Sequence, residues 1–338
     1  MRRMRSTAAD AAAILRAQSR PTRFPFVSIA SPLPKDDRLV VRTPAPDWFH
    51  WAVAVPRQSR RVVAEGCPIH YLLWPHTGAT ADAPGLLLVH GGGAHANWWS
   101  FLAPFLARRF RVAAMDLSGM GDSGTRPRYD ATLRAAEMLA VCEDSGLGRQ
   151  PFVVGHSFGG YMLTRMASLY GDRLGGAVIV DTPIRSPEET ASRPLPRRRD
   201  GPKRIYPDFE DAVSRFRLLP AQDCANAFIV EHIARHSLKA APGGWEWKFD
   251  NGAMGPERFT EPFSDYLRAV TCRRAYIHGA RSALVTPATV AWIAGLMGPA
   301  APVIEIPEAQ HHIMLDQPLA FVAALCALLE VWLRGGQD

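Results

Sequence analysis

Lysine is nearly missing from this chain. Of the 39 basic residues in its 338 positions, four are lysines (Lys35, Lys203, Lys239 and Lys248) and the rest are arginines. That bias, set among abundant Ala, Gly and Pro, reflects gene composition rather than a nucleic-acid surface, although the net charge is +7. The densest basic stretch, residues 193–204, is interrupted by prolines and has no interleaved aromatics on which bases could stack. It reads as a solvated loop. Cysteine is also scarce. The five are scattered and odd in number, and no CxxC pair occurs, so no disulfide framework is implied and a reducing, cytoplasmic setting is expected. No apolar run reaches eighteen residues, which excludes a membrane-spanning helix on the sequence pattern. Residues 1–20 are basic and alanine-rich but lack the apolar centre and small-residue cleavage site of a secretory signal. There is no glycine-rich phosphate or dinucleotide loop, so no cofactor is expected.

What is present is a core. Hydrophobic residues make up 47% of the chain and charged residues 21%, enough apolar side chain for one sizeable globular unit. Residues 1–55 are rich in Pro and Arg with little periodicity and form an N-terminal extension, although Trp48, Phe49 and Trp51 are expected to pack on the body. Two short strands follow at 61–65 and 69–74, around the turn Gly66-Cys67-Pro68. A regular alternation then begins: strand 86–90, helix 99–107, strand 110–116, helix 132–143, strand 151–156, helix 159–170 and strand 177–181. It breaks at residues 183–265, a charged, proline-punctuated region with helical pieces at 209–218 and 227–236. It resumes with strand 274–278, helix 287–297, strand 303–306 and helix 318–333. Strand–helix alternation predicts a mostly parallel sheet with helices on both faces. The core is then residues 56–182 and 266–338, and the interruption is an inserted helical lid.

The segment Gly155-His156-Ser157-Phe158-Gly159 ends a buried strand and opens a helix. This context makes G-x-S-x-G a specific signal for a nucleophilic serine. The turn must be too tight for side chains on its neighbours, which the two flanking glycines satisfy. A helix beginning just after the serine points its positive end at developing negative charge.

With this motif the chain resembles the α/β-hydrolase superfamily, in its lid-bearing branch of esterases, carbon–carbon hydrolases and haloalkane dehalogenases. The resemblance runs from about residue 61 to 333. His90-Gly91-Gly92-Gly93 is similar to that family's oxyanion loop. The stretch from Asp116 to Ser123 is similar to its D-x-x-G-x-G-x-S segment, and Ala309-Gln310-His311-His312, followed by Asp316 and Pro318, to its late histidine segment. The resemblance implies Ser157 as nucleophile, His311 as general base with His312 in a packing position, and Gly92 and Phe158 as backbone donors to an oxyanion.

The third member departs from the common pattern. The usual acid follows strand 274–278, where Ser282 and Ala283 stand instead. A second family location is the end of the preceding strand, where Asp181 stands, so Asp181 is the expected acid. Asp250 and Asp316 are the outside candidates, the latter also read as a helix N-cap. Asp116 and Asp122 read as structural. His232 and His236 share a helix face, but no glutamate follows the first, so the zinc-protease pattern fails and no metal is expected. Trp98, Trp99, Phe158, Trp245, Trp247 and Phe249 are candidate pocket walls. These readings point to a serine hydrolase of a carboxylic ester or lactone with an apolar portion. A carbon–carbon hydrolase with the same triad, and a non-catalytic small-molecule receptor on this fold, stay open. The expected partner is a small-molecule substrate, without nucleic acid or membrane, in a monomer or homodimer.

Overall fold

The computed structural model describes residues 44–75, 83–192, 203–254 and 260–335. A short helix, α1 (Asp47–Ala54), precedes a hairpin of β1 (Gln58–Ala64) and β2 (Cys67–Trp74). Next come β3 (Gly85–Val89), a 3-10 turn at Ala96–Trp99, α2 (Ala103–Leu106) and β4 (Arg111–Met115). They lead into α3 (Ala131–Asp144), β5 (Phe152–His156), α4 (Phe158–Tyr170) and β6 (Gly176–Val180). Before the sheet resumes, the chain forms α5 (Pro187–Ser192), α6 (Phe209–Ser214), α7 (Ala227–His236), a small hairpin of β7 (Leu238–Ala241) and β8 (Gly244–Trp247), and α8 (Phe263–Arg268). The last third is β9 (Arg274–Gly279), α9 (Pro287–Met297), β10 (Val303–Ile306), α10 (Ile313–Asp316) and α11 (Pro318–Arg334). No helix among the described residues is long and apolar enough to cross a membrane.

The main sheet has eight strands in the order β1-β2-β4-β3-β5-β6-β9-β10. The β1–β2 and β2–β4 pairs are antiparallel, and all others are parallel. The central strands are buried on both faces, as a parallel sheet covered by helices requires. Alternate residues divide between two cores. Leu86, Leu88, Val154 and Val180 face the layer holding α1, α2, α7 and α11. Leu87, Val89, Val153 and Ile179 face α3, α4, α8 and α9.

Three local readings are corrected. The first hairpin turns at Glu65 and Gly66, both at positive φ (47° and 74°), with Cys67 and Pro68 already in the strand. This is the two-residue turn whose twist suits a hairpin. The helix expected over 99–107 is a 3-10 turn followed by one short turn of helix, because Pro104 has no N–H to give Ser100. Residues 47–54 form a helix where no periodicity was visible. Its Phe49 is buried against Phe228 of α7, with ring centroids 4.9 Å apart, while Trp51 remains 46% exposed. Residues 1–43 of the N-terminal extension and 193–202 of the basic stretch lie outside the described residues.

Candidate active site

Ser157 sits between β5 and α4 with φ 50° and ψ −113°, a backbone conformation that L-residues avoid. The surroundings hold it there. Its N–H donates to the Val180 carbonyl at 2.8 Å, tying the turn to the end of β6. The flanking glycines are required by space: a Cβ on Gly155 would come within 2.6 Å of the Gly159 carbonyl oxygen, and one on Gly159 within 2.5 Å of the His90 carbonyl oxygen. The loop after β3 crosses directly over the turn, since a Cβ on Gly91 would lie 3.5 Å from Ser157 Cβ. The next residue along that loop is Gly92, and Phe158 opens α4. These are the two backbone positions expected from the sequence to donate to the oxyanion.

His311 reaches the serine from the connection between β10 and α10. Its Nε2 is 2.9 Å from Ser157 Oγ and its Nδ1 is 2.7 Å from Asp181 Oδ2. Asp181 is fully buried at the end of β6, itself at positive φ (45°), with its N–H bonded to the Ile277 carbonyl. Its carboxylate accepts two further hydrogen bonds, from the Gly279 N–H to Oδ1 (2.9 Å) and from Ser282 Oγ to Oδ2 (2.6 Å). In the sequence Ser282 marks only the place where a carboxylate is missing. In space it is a donor to the carboxylate on the neighbouring strand.

Other anchors hold the histidine loop. Asp316 Oδ2 accepts from the Gln310 N–H (2.7 Å), and Gln222 donates to both Asp316 oxygens while its own Oε1 accepts from the His312 N–H. Asp316 is therefore a loop anchor rather than a helix cap: the residue before α11 is Gln317, with no side-chain cap bond. No local pattern marks Gln222, because its partners lie some ninety positions away. His156, inside the nucleophile motif, donates from Nε2 to the His311 carbonyl at 2.9 Å. Burial, then repulsion from a charged His311, holds the His156 pKa well below the usual histidine range, so its ring is neutral.

Asp116 organises the neighbouring loops. It is buried, and its oxygens accept from His70 Nδ1 (2.7 Å), the Ala96 N–H (2.6 Å) and the Asp122 N–H (2.8 Å). Burial alone would raise its pKa, but the His70 hydrogen bond and nearby positive potential outweigh that and hold it at about 2. Asp122 pairs with Lys248 at 2.8 Å, and the Asp250 carboxylate accepts from the Tyr129 hydroxyl at 2.6 Å. Asp250 is thereby occupied away from the histidine. Backbone bonds from Gly121 N to Lys248 O and from Asp250 N to Gly119 O fasten this part of the β6–β9 region to the Asp116–Asp122 loop. Beneath Phe158 lies the buried Arg134, whose guanidinium is 4.8 Å from the Phe158 ring and donates to the Ala253 carbonyl. Burial lowers its pKa to about 10, which still leaves it a cation.

The aromatic candidates separate. Trp99 is core, packed on Phe321. Trp98 borders the site through His312, with ring centroids 5.3 Å apart. Trp245 and Trp247 pack on Phe209, Tyr206 and Phe216 within the β6–β9 region. His232 and His236 are engaged separately, with Ser100 Oγ and the His232 carbonyl.

Residues 86–325 match the model of the alpha/beta hydrolase family. The pimeloyl-[acyl-carrier protein] methyl ester esterase of Chromobacterium violaceum is 29% identical over 261 residues, covering 74% of this chain and 95% of that protein. Esterase Rv0045c of Mycobacterium tuberculosis is 26% identical over 256 residues, covering 74% and 84%. Among solved structures, E-2-(acetamidomethylene)succinate hydrolase superposes with a TM-score of 0.69 at 22% identity, covering 81% of this chain and all of that one, a likeness of fold. With the family match spanning most of the sheet and both ends of the site, the chain belongs to the alpha/beta hydrolase family.

Proposed function

We propose that the chain is a serine hydrolase that cleaves a carboxylic ester or lactone of a partly apolar small molecule through an acyl-serine intermediate. The observation that carries this reading is the continuous relay from Ser157 Oγ to His311 Nε2 and from His311 Nδ1 to Asp181. A hydroxyl is a weak nucleophile until a base takes its proton. His311 does so as Ser157 Oγ attacks the carbonyl carbon, and the imidazolium that forms is stabilised by the Asp181 carboxylate. The Gly92 and Phe158 N–H groups hold the oxyanion at the head of α4. When the intermediate collapses, His311 returns the proton to the leaving alkoxide. Water then enters and attacks the acyl carbon while giving a proton to His311, which returns that proton to Ser157 Oγ as the bond to the acid breaks.

In this reading the described parts of the 183–265 insertion, α6, α7 and the β7–β8 hairpin among them, serve as the lid. The intact relay favours catalysis over a receptor role, and the esterase relatives favour an ester bond. A fluorophosphonate probe should label the wild-type protein and leave Ser157→Ala unlabelled and inactive on an ester and lactone panel, with an unchanged melting curve. Near-normal ester hydrolysis by pure Ser157→Ala would overturn the assignment.

A further inference from the structure

Three imidazoles meet behind the nucleophile. The ring centroids of His156, His311 and His312 are 4.9, 5.6 and 4.9 Å apart, and one nitrogen from each lies within 4.8 Å of the other two. All three side chains are buried. The proposed reaction uses His311 alone, so the convergence of the other two on it calls for a separate explanation.

Their hydrogen bonds suit metal ligation. A histidine that binds a metal through one nitrogen normally gives its other N–H to a carboxylate or backbone carbonyl. His311 turns Nδ1 to Asp181, leaving the Nε2 lone pair toward Ser157. His156 gives its Nε2–H to the His311 carbonyl, leaving the Nδ1 lone pair. Both nitrogens of His312 are buried without a hydrogen bond among the described residues. The Leu219 and Pro220 carbonyls lie near enough to favour a proton on one of them, which leaves a lone pair on the other. Buried polar atoms in folded proteins are rarely left unmatched, and an orphan costs about 1–3 kcal/mol.

A second cluster shows the contrast. His70, Asp116 and Asp122 also converge, but His70 and Asp116 bind each other, Asp116 accepts two backbone N–H groups, and Asp122 holds Lys248. Its ligand atoms are already used.

We propose that His156, His311 and His312 form a binding site for a borderline-soft divalent ion, Zn²⁺ or Cu²⁺, and that its occupancy inhibits the enzyme. The inhibitory part rests on the assignment of His311 as general base. Three imidazole nitrogens suit these ions and not Mg²⁺ or Ca²⁺, which take oxygen ligands. Zn–N bonds of about 2.0–2.1 Å imply nitrogens about 3.4 Å apart in a tetrahedral shell, so the rings close on the ion by roughly 1 Å. Ser157 is partly exposed, and the ion enters from its side. Once bound, the ion holds the His311 Nε2 lone pair that otherwise accepts the serine proton. The sequence did not signal this site, because the His-x-x-x-His pattern directs attention to the lid helix instead.

The test uses the full chain, freed of metal, and Zn²⁺ competing with a chromophoric chelator at neutral pH. The expected result is one tight equivalent, ester hydrolysis lost in step with its binding, and recovery on adding EDTA. His312→Phe should weaken Zn²⁺ at least tenfold, since even loss of a partner behind a ligand costs about 10–100-fold. The concentration that inhibits it should rise in parallel. His311→Asn should weaken binding similarly, and the chelator reads this whether or not ester hydrolysis was correctly assigned, so this variant carries the test should His312→Phe not fold. Unchanged Zn²⁺ affinity in either variant would overturn the site, as would loss of binding on His232→Asn alone. Stoichiometric binding without inhibition would overturn the regulatory role.

Discussion

Replacing Asp181 by Asn tests the acid at the level of single protons. Oδ1 accepts the Gly279 N–H, so the amide oxygen takes that place and its NH₂ occupies the Oδ2 position, 2.7 Å from His311 Nδ1. A donor facing Nδ1 forces the imidazole proton onto Nε2, where it meets Ser157 Oγ and removes the base. Loss of the correct tautomer in such a triad costs up to about 10⁴-fold in turnover, or ~5.4 kcal/mol of barrier at about 1.36 kcal/mol per decade. Folding should suffer little, because the Ser282 hydroxyl can rotate to accept from the new amide. Ser282 Oγ already lies 2.6 Å from Asp181 Oδ2, so combining Ser282→Asp with Asp181→Asn places a carboxylate in nearly the same space. The double variant should recover about tenfold or more of the lost rate. The assay is the steady-state rate and acylation burst on a p-nitrophenyl ester, with thermal melts to check folding. Asp181→Asn retaining turnover within about tenfold of wild type would show that the histidine needs no acid, and the orientation argument would fail.

His311→Ala should lower ester turnover by several orders of magnitude while His312→Ala mainly loosens packing against Trp98; rates and melts of both variants would expose a reversed order. Asp116→Ala should cost about 3–5 kcal/mol, visible as a Tm roughly 10 °C lower, because it leaves His70 and two backbone N–H groups without an acceptor; an unchanged Tm would contradict the loop-organising role. Stability should also fall in acid. Burial lowers His95 and His232 each to about 3, so below about pH 6.5 the unfolded chain takes up protons that the folded one refuses, and the loss grows as pH falls toward 3. At pH 4.5 the two together cost about 5 kcal/mol. Urea midpoints at pH 7.5 and 4.5 should show it, and His95→Asn with His232→Asn should shrink the difference, leaving the part due to the other buried histidines; an unchanged difference in the double variant would assign the acid sensitivity elsewhere.

The sheet was legible because its central strands are apolar runs closed by glycines, and such runs have few other places to go. Ser157 was legible for a related reason: a strained turn needs bare neighbours on either side, and that need is written locally. The pairing of His311 rather than His312 with Ser157 was legible in its spacing to Asp316 and Pro318, and the pairing of Asp181 with His311 in the absence of a carboxylate at 282 and 283. What could not be read are partners distant in sequence. Ser282 as a donor to Asp181, and Gln222 bracing the histidine loop, exist only once β6, β9 and the β6–β9 region are assembled. The β7–β8 hairpin was missed because its four-residue strands are too short to show a period. Helix α1 was missed because it is brief and lacks a side-chain cap.

Strand pairing has a consequence for how this site arises in time. His156 and Val180 are paired at the ends of β5 and β6, so Ser157 and Asp181 each stand one residue beyond adjacent, hydrogen-bonded strands. Ser157 and Asp181 therefore belong to one β–α–β unit, closed by α4 and a short connection into β6. An acid after β9 would have to wait for the long intervening region to form. In this chain only the histidine arrives late, so a folding intermediate holding β5, α4 and β6 would carry two of the three groups in register and still be inert. Activity would then appear with the docking of a single loop, and its onset during refolding would report the arrival of the C-terminal third rather than of the sheet.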